Sequence, residues 1–162
     1  MKFLIRPATK NDMPQVLSLI KELAIFEKEP DAVIVTVEDL IEKGFGDHPL
    51  FTCFVAHQKE EIFGIALVYF RYSTWKGKTV HLEDLIVKKH LRGRGIGIAL
   101  YHQVLLYAYQ HQVKRVEWAV LDWNKNAIDF YENSGAKILK DWYIAQMDEV
   151  TLKNYLTKNK LI

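Results

Sequence analysis

Val87-Lys-Lys-His-Leu-Arg-Gly-Arg-Gly-Ile-Gly97 runs from the end of one apolar segment straight into the start of another. Before it, Val80-His-Leu-Glu-Asp-Leu-Ile-Val87 has the apolar, β-branched character of a central strand. After it, Ile96, Leu100, Val104, Tyr107 and Ala108 recur at helical spacing, and residues 116–121 return as a second buried strand. Strand, glycine turn, helix and strand make a βαβ unit, whose two strands run parallel through a right-handed crossover. Three alternating glycines let backbone amides approach a ligand without a Cβ in the way, and the helix that follows adds unpaired N–H groups. A phosphate or pyrophosphate is the natural guest. Lys88, Lys89, His90, Arg92 and Arg94 surround the turn with positive charge, which suits a ligand carrying several phosphates.

Two better-known glycine motifs are excluded by spacing. No Lys-Ser or Lys-Thr pair follows Gly97, as a P-loop requires, and the third glycine stands too close for a dinucleotide fingerprint. Outward from the turn, residues 51–57 and 62–72 are extended runs separated by Gln58-Lys-Glu-Glu61, the pattern of an antiparallel hairpin. Phe3, Ile5 and Pro7 suggest a short opening strand. Met13, Val16, Leu17, Ile20, Leu23 and Ala24 mark an amphipathic helix with possible caps at Thr9 or Asn11. Thr36-Val-Glu-Asp39 has the form of a capping box opening a short helix that Gly44 ends. Asn124 is placed to cap a helix carrying Ala127, Ile128 and Tyr131, with Gly135 to end it, and residues 138–147 are predicted as a last strand. An antiparallel meander plus one parallel crossover predicts a three-layer α/β/α sandwich around a mixed, mostly antiparallel sheet, in one domain spanning residues 1–162.

Composition narrows the function classes. The chain is 49% hydrophobic and 26% charged, with a formal net charge of only +2 and both signs interspersed, so the clustered basic footprint of a nucleic-acid binder is absent. Its longest apolar run, residues 65–70, is far below the roughly 20 residues of a membrane helix. The opening Met1-Lys-Phe-Leu-Ile-Arg-Pro7 carries too few apolar residues for a secretory leader, so a cytoplasmic location is expected. Cys53 is the single cysteine and sits in an apolar run, which predicts a buried structural thiol. The six histidines show no metal-ligand spacing, and no metal is expected.

Arg92-Gly-Arg-Gly-Ile-Gly97 resembles the R/Q-x-x-G-x-G/A signature of GNAT-superfamily acetyltransferases, and Asn124-Lys-Asn-Ala-Ile-Asp-Phe-Tyr-Glu-Asn-Ser-Gly-Ala136 resembles the N-x-x-A-x-x-F-Y-x-x-x-G-A block of the same superfamily. The likeness extends to the spermidine/spermine (diamine) acetyltransferase branch through Ile5-Arg-Pro-Ala-Thr9, Leu19-Ile-Lys-Glu-Leu-Ala24, Gly44-Phe-Gly-Asp-His-Pro49 and Leu82-Glu-Asp84. The resemblance implies an N-acetyltransferase that moves acetyl from acetyl-coenzyme A to the primary amine of a small cationic substrate, as a homodimer. By matching position, it implies that Leu85, Ile86, Val87, Arg92, Gly93, Arg94, Gly95, Ile96, Gly97 and Ile98 hold the coenzyme together with Asn124, Lys125, Asn126 and Ala127. It further implies Tyr131 as the catalytic acid, Glu83 beside the substrate amine, and Phe26, Glu27, Glu83 and Asp84 as substrate contacts.

The chemistry suits those assignments. Acetyl transfer to an amine requires a neutral nucleophile, a polarised carbonyl and a proton for the departing thiolate. A tyrosine phenol, with an ordinary pKa of about 10, stays protonated at neutral pH and can give that proton. Glu83 can accept a proton through water, and strict alternation predicts that it and Asp84 point to opposite faces of their strand. Ser73 stands where the polyamine enzymes carry an aspartate, with Lys76 close by, which favours a short diamine, thialysine or a lysine-like amino acid over long polyamines. Two other readings share the fold: an acetyltransferase for protein lysines or N-termini, and a non-catalytic acyl-coenzyme A sensor.

Overall fold

The computed structural model describes residues 2–162, and the N-terminal Met1 lies outside the described residues. The chain divides into two compact units, Met1–Leu121 and Asp122–Ile162. The first unit holds a five-stranded sheet: β1 (Leu4–Pro7), β2 (Thr52–Gln58), β3 (Glu61–Ser73), β4 (Gly77–Val87) and β5 (Val116–Glu117), in that spatial order. Neighbours pair antiparallel except β4 and β5, which are parallel, as the crossover requires. Helices α1 (Met13–Phe26) and α2 (Val37–Phe45) bury Met13, Val16, Leu19 and Leu40 against Cys53, Val55, Ile65, Leu67 and Ile86 on one face of the sheet. The other face belongs to α3 (Ile96–Gln110): a Cβ built on Gly64, next in β3 to Ile65, would meet Leu100 of that helix. Ile96, Leu100, Tyr101, Val104 and Ala108 are the buried positions of α3, in close agreement with its apolar spacing.

Entry into α1 depends on Asp12 rather than Asn11. Its carboxylate accepts hydrogen bonds from the Thr9 amide (2.7 Å) and hydroxyl (2.9 Å) and from two nitrogens of Arg6 (2.6 and 3.0 Å), which ties β1 to the start of the helix. The guanidinium, ahead of the opposing effect of burial, pulls the Asp12 pKa down to about 2. The Thr36 capping box forms as expected, but α2 runs past Gly44 and stops at Gly46, whose amide bonds to Glu42. Gly44 is a packing glycine, since a Cβ there would fall 2.7 Å from the Phe51 ring. Cys53 is buried and its thiol is pushed up to about 12 by desolvation, so it is a structural residue.

In the second unit, α4 (Lys125–Asn133) starts where Asn124 accepts from the Ala127 amide at 3.3 Å. It ends at Ser134 and Gly135, the latter at φ +92°, where only glycine is unstrained. The expected strand over residues 138–147 is not formed. This stretch is irregular and exposed, and among the described residues no strand pairs with it. An unpaired strand leaves its backbone groups to water and has nothing to hold it extended. Helix α5 (Glu149–Lys158) follows, opened by Asp148 accepting from the Thr151 amide at 2.7 Å.

Candidate active site

The turn that opens α3 has the geometry its glycines imply. Gly93 (φ +74°) and Gly95 (φ +81°) are left-handed, and Gly95 immediately precedes the helix. A Cβ on either would point into open space, so both are fixed by backbone conformation and leave room beside the amides. Gly97, on the first turn of α3, has no positive φ, and a Cβ there would make an ordinary 3.7 Å contact with Val87. Lys88 and Arg92 are among the surrounding cations that are already engaged. Lys88 pairs with Glu61 at 2.8 Å, and Arg92 donates from Nε to the Val87 carbonyl at 3.0 Å while its guanidinium lies 5.1 Å from the Phe26 ring centre. Arg92 and Phe26, predicted as coenzyme and substrate contacts, are thus brought together, and Arg92 fastens the turn to the end of β4.

That end of β4 is open on one side. Strand β5 pairs with it only at Val80 and His81, so residues 82–87 have no strand partner there among the described residues. On the β3 side the Lys88 amide bonds to Phe63, and alternation turns the backbone groups of Leu85 and Val87 to the open edge. The closeness of β3 to this segment is enforced by Gly64, where a Cβ would lie 2.6 Å from the Ile86 carbonyl oxygen. An extended chain with amide groups fits such an edge as an added strand would. With the open amides of the glycine turn beside it, the first unit fits an extended, phosphate-bearing ligand.

The acidic residues meet at an irregularity in the same strand. The β3–β4 register passes from Leu67↔Asp84 to Val68↔Leu82, so Glu83 is an extra residue bulged from β4. The expectation of opposite faces is therefore corrected. Glu83 accepts from the Tyr69 hydroxyl at 3.0 Å, and Asp84 stands across from Leu67, on the same face of β3 as Tyr69. The bulge resets the alternation and brings both carboxyls to the α1 face. Glu27, immediately after α1, adds a third: burial pushes its pKa upward, and its charge reaches Asp84. Asp84 is raised to about 7, chiefly by desolvation and then by repulsion from Glu83 and Glu27. The first unit thus gathers Glu27, Glu83 and Asp84.

The sequence reading missed Tyr69 and His81, which face Glu83; the only signal for them was their place at alternate positions of two paired strands. Ser73 serves the β3–β4 hairpin tip, where its hydroxyl accepts from the amides of Trp75 (3.3 Å) and Lys76 (3.2 Å). Trp75 and Trp142 are exposed, whereas Trp118 packs edge-on against Tyr101 with ring centres 5.7 Å apart. The described residues hold no cluster of metal-ligating side chains, and none of their helices is long and apolar enough to cross a membrane. In the second unit Asn124, Lys125, Asn126 and Ala127 form the first turn of α4, and Tyr131 is its buried residue. The Tyr131 carbonyl accepts from the Ser134 hydroxyl (2.6 Å) and the Ala136 amide (3.1 Å), which fixes the end of that helix.

Residues 14–136 match the family model described as the acetyltransferase (GNAT) family. The chain belongs to this family. A thialysine N-epsilon-acetyltransferase of Bos taurus is 40% identical to this GNAT chain over 146 residues, covering 85% of the chain and 86% of the relative. A spermidine/spermine N(1)-acetyltransferase-like protein of Homo sapiens is 35% identical over 160 residues, 93% of the chain and 23% of that longer protein. Among solved structures, an integron cassette protein from the mobile metagenome of V. cholerae superposes with a TM-score of 0.78 at 23% identity, covering 98% of this chain and 99% of that one. The GNAT chain is an N-acetyltransferase, and members of its family draw the acetyl group from acetyl-coenzyme A.

Proposed function

We propose that the protein acetylates the primary amine of a small cationic substrate of the thialysine or short-diamine class, within a single domain that includes both units. The observation that carries this reading is the convergence of Glu27, Glu83 and Asp84 on one face of the β4 bulge. Asp84 is raised to about 7 chiefly by desolvation and then by repulsion from Glu83 and Glu27, and such a group of carboxyls favours the arrival of a cation. The names of the relatives support the same class of substrate.

Leu85, Ile86 and Val87, the turn 92–98 and the first turn of α4 at 124–127 would hold acetyl-coenzyme A, which supplies the acetyl thioester. Leu85 and Val87 offer backbone groups along the open edge, and the glycine amides and α3 N-terminus face the phosphates. Glu83 accepts the amine proton through water. Tyr131 would give its phenolic proton to the thiolate as the thioester bond breaks, and the phenolate would regain a proton from solvent before the next turnover. Phe26 walls the amine side with Arg92 behind it. Ser73, committed to its own turn, gives no distal anion, which disfavours long polyamines.

A lone buried thiol suits a reducing compartment, and the cytoplasm is the proposed location. A homodimer is supported by the second unit's exposed apolar side chains, among them Trp142, Tyr143, Ile144 and Val150. The decisive experiment is mass spectrometry of products from thialysine, L-ornithine, spermidine and lysine-bearing or free N-terminal peptides. Acetylated thialysine or ornithine as the dominant product supports the reading. Dominant peptide acetylation would replace it with a protein acetyltransferase, and coenzyme binding without any product would make the protein a sensor.

A further inference from the structure

Glu83 does not stand alone on its bulge. The Tyr69 hydroxyl donates to its Oε2 at 3.0 Å, and His81 Nε2 lies 3.5 Å from the same oxygen. On the other side of the imidazole, Arg71 lies 3.2 Å from His81 Nδ1. A guanidinium has no lone pair to offer, so Nδ1 must be the acceptor and the ring proton must reside on Nε2, the nitrogen that lies 3.5 Å from Glu83 Oε2. Arg71 is held in turn by Glu117 at 2.8 Å, and Glu117 by Arg115 at 2.7 Å. The charged and titratable groups facing His81 are therefore Tyr69 and Arg71 from β3, Glu83 from β4 and Glu117 from β5, with the two rings of Tyr69 and His81 5.1 Å apart.

We propose that His81 and Tyr69 are positioning residues for Glu83: they hold its Oε2 from two sides and leave Oε1 as the oxygen presented to the substrate amine. The proposal rests on the assignment of Glu83 as the residue that takes the amine proton. A bulged residue has no ladder partner to fix its backbone, so the side-chain clamp supplies the orientation that the sheet does not. Arg71 has a separate part, because it selects the tautomer. Burial keeps the imidazole neutral by lowering its pKa, and the Arg71 charge acts in the same direction against the pull of Glu83 and Glu117. Protonation of Nδ1 sets His81 against Arg71 and breaks the arrangement, so the clamp fails on the acid side.

The test compares His81→Phe, which keeps a flat ring against Tyr69, with His81→Gln, whose amide can accept from Arg71 and donate to Glu83 at any pH. With thialysine as the amine, His81→Phe is expected to lower kcat/KM by about 5- to 50-fold, the effect of losing a polar N–H beside a charged group. The KM for acetyl-coenzyme A should stay the same. His81→Gln should recover most of the loss and remove the acid limb of the pH profile that His81 causes. Tyr69→Phe should reproduce the His81→Phe defect, and adding His81→Phe to Glu83→Gln should cost nothing more. If Glu83→Gln is slow while His81→Phe matches the wild type, the clamp is refuted and the role of Glu83 stands. If Glu83→Gln is itself silent, the assignment of Glu83 falls and the clamp with it. Fully additive losses in the double variant would reduce His81 to a packing residue.

Discussion

Replacing Asp84 by asparagine keeps the shape of the neutral carboxyl and deletes its charge. In the folded protein Asp84 holds its proton up to about pH 7, against an ordinary value of 3.8, because it is desolvated and faces Glu83 and Glu27. Between those two pH values the folded state binds more protons than the unfolded one, so stability falls as pH rises. The destabilisation is absent below about pH 4 and complete above about pH 7. At 1.36 kcal/mol for each pH unit, the full separation corresponds to roughly 4 kcal/mol, and relaxation around a partly solvated group reduces this to an expected 2 to 4 kcal/mol. Urea unfolding of both proteins at intervals from pH 4.5 to 8.5 gives the answer directly. Asp84→Asn should lie within about 1 kcal/mol of the wild type at pH 4.5, gain further through pH 5 to 7, and hold a constant advantage above pH 8. A pH-independent difference, or a variant less stable at pH 8, would refute the raised pKa of Asp84 and its cause in burial beside Glu83 and Glu27. The same substitution should weaken thialysine binding, since the strain is what a cation relieves.

Four further substitutions separate conformation, packing and chemistry. Gly97→Ala has no backbone strain and meets only an ordinary contact, so it is expected to stabilise the protein by about 0.4 to 1 kcal/mol with coenzyme binding retained; Gly95→Ala, at φ +81°, should instead lose about 1 to 2 kcal/mol, both read by urea unfolding and calorimetry. Gly64→Ala forces a Cβ to within 2.6 Å of the Ile86 carbonyl oxygen, so a loss of about 1 to 3 kcal/mol and weaker acetyl-coenzyme A binding should appear together as β4 is displaced. Tyr131→Phe should lower kcat by about 10²- to 10⁴-fold with little change in the KM for acetyl-coenzyme A, and less with an acyl donor whose thiol is more acidic; retention of half the turnover would remove the acid from Tyr131.

The parts of this protein that were legible in its sequence are those decided within a few residues. A left-handed turn needs glycine at Gly93 and Gly95, a helix start needs an acceptor such as Thr36 or Asn124, and 3.6-residue spacing marks the buried stripe of α3. Each depends on short-range sterics or hydrogen bonding, which composition and spacing express directly. Residues 138–147 show the opposite case. Their apolar side chains look like those of a strand, but a strand is completed by a neighbour, and none lies beside them among the described residues. Helix α5, with its own cap at Asp148, was in principle readable from Asp148 and Thr151.

The acidic face was the least legible feature because it depends on parity across two strands. Glu83 and Asp84 are adjacent, and period-two alternation assigns them to opposite sides whatever their chemistry. Only the partner strand reveals that Leu67 faces Asp84 while Val68 faces Leu82, leaving one residue over. That single extra residue lets the adjacent Glu83 and Asp84 share the α1 face, within reach of the charge on Glu27. The bulge, held by a tyrosine and a neutral histidine, orients the charge of Glu83 without cancelling it. A site built in this way is poised for a cation from outside the chain, whereas an arginine in place of His81 would neutralise it from within.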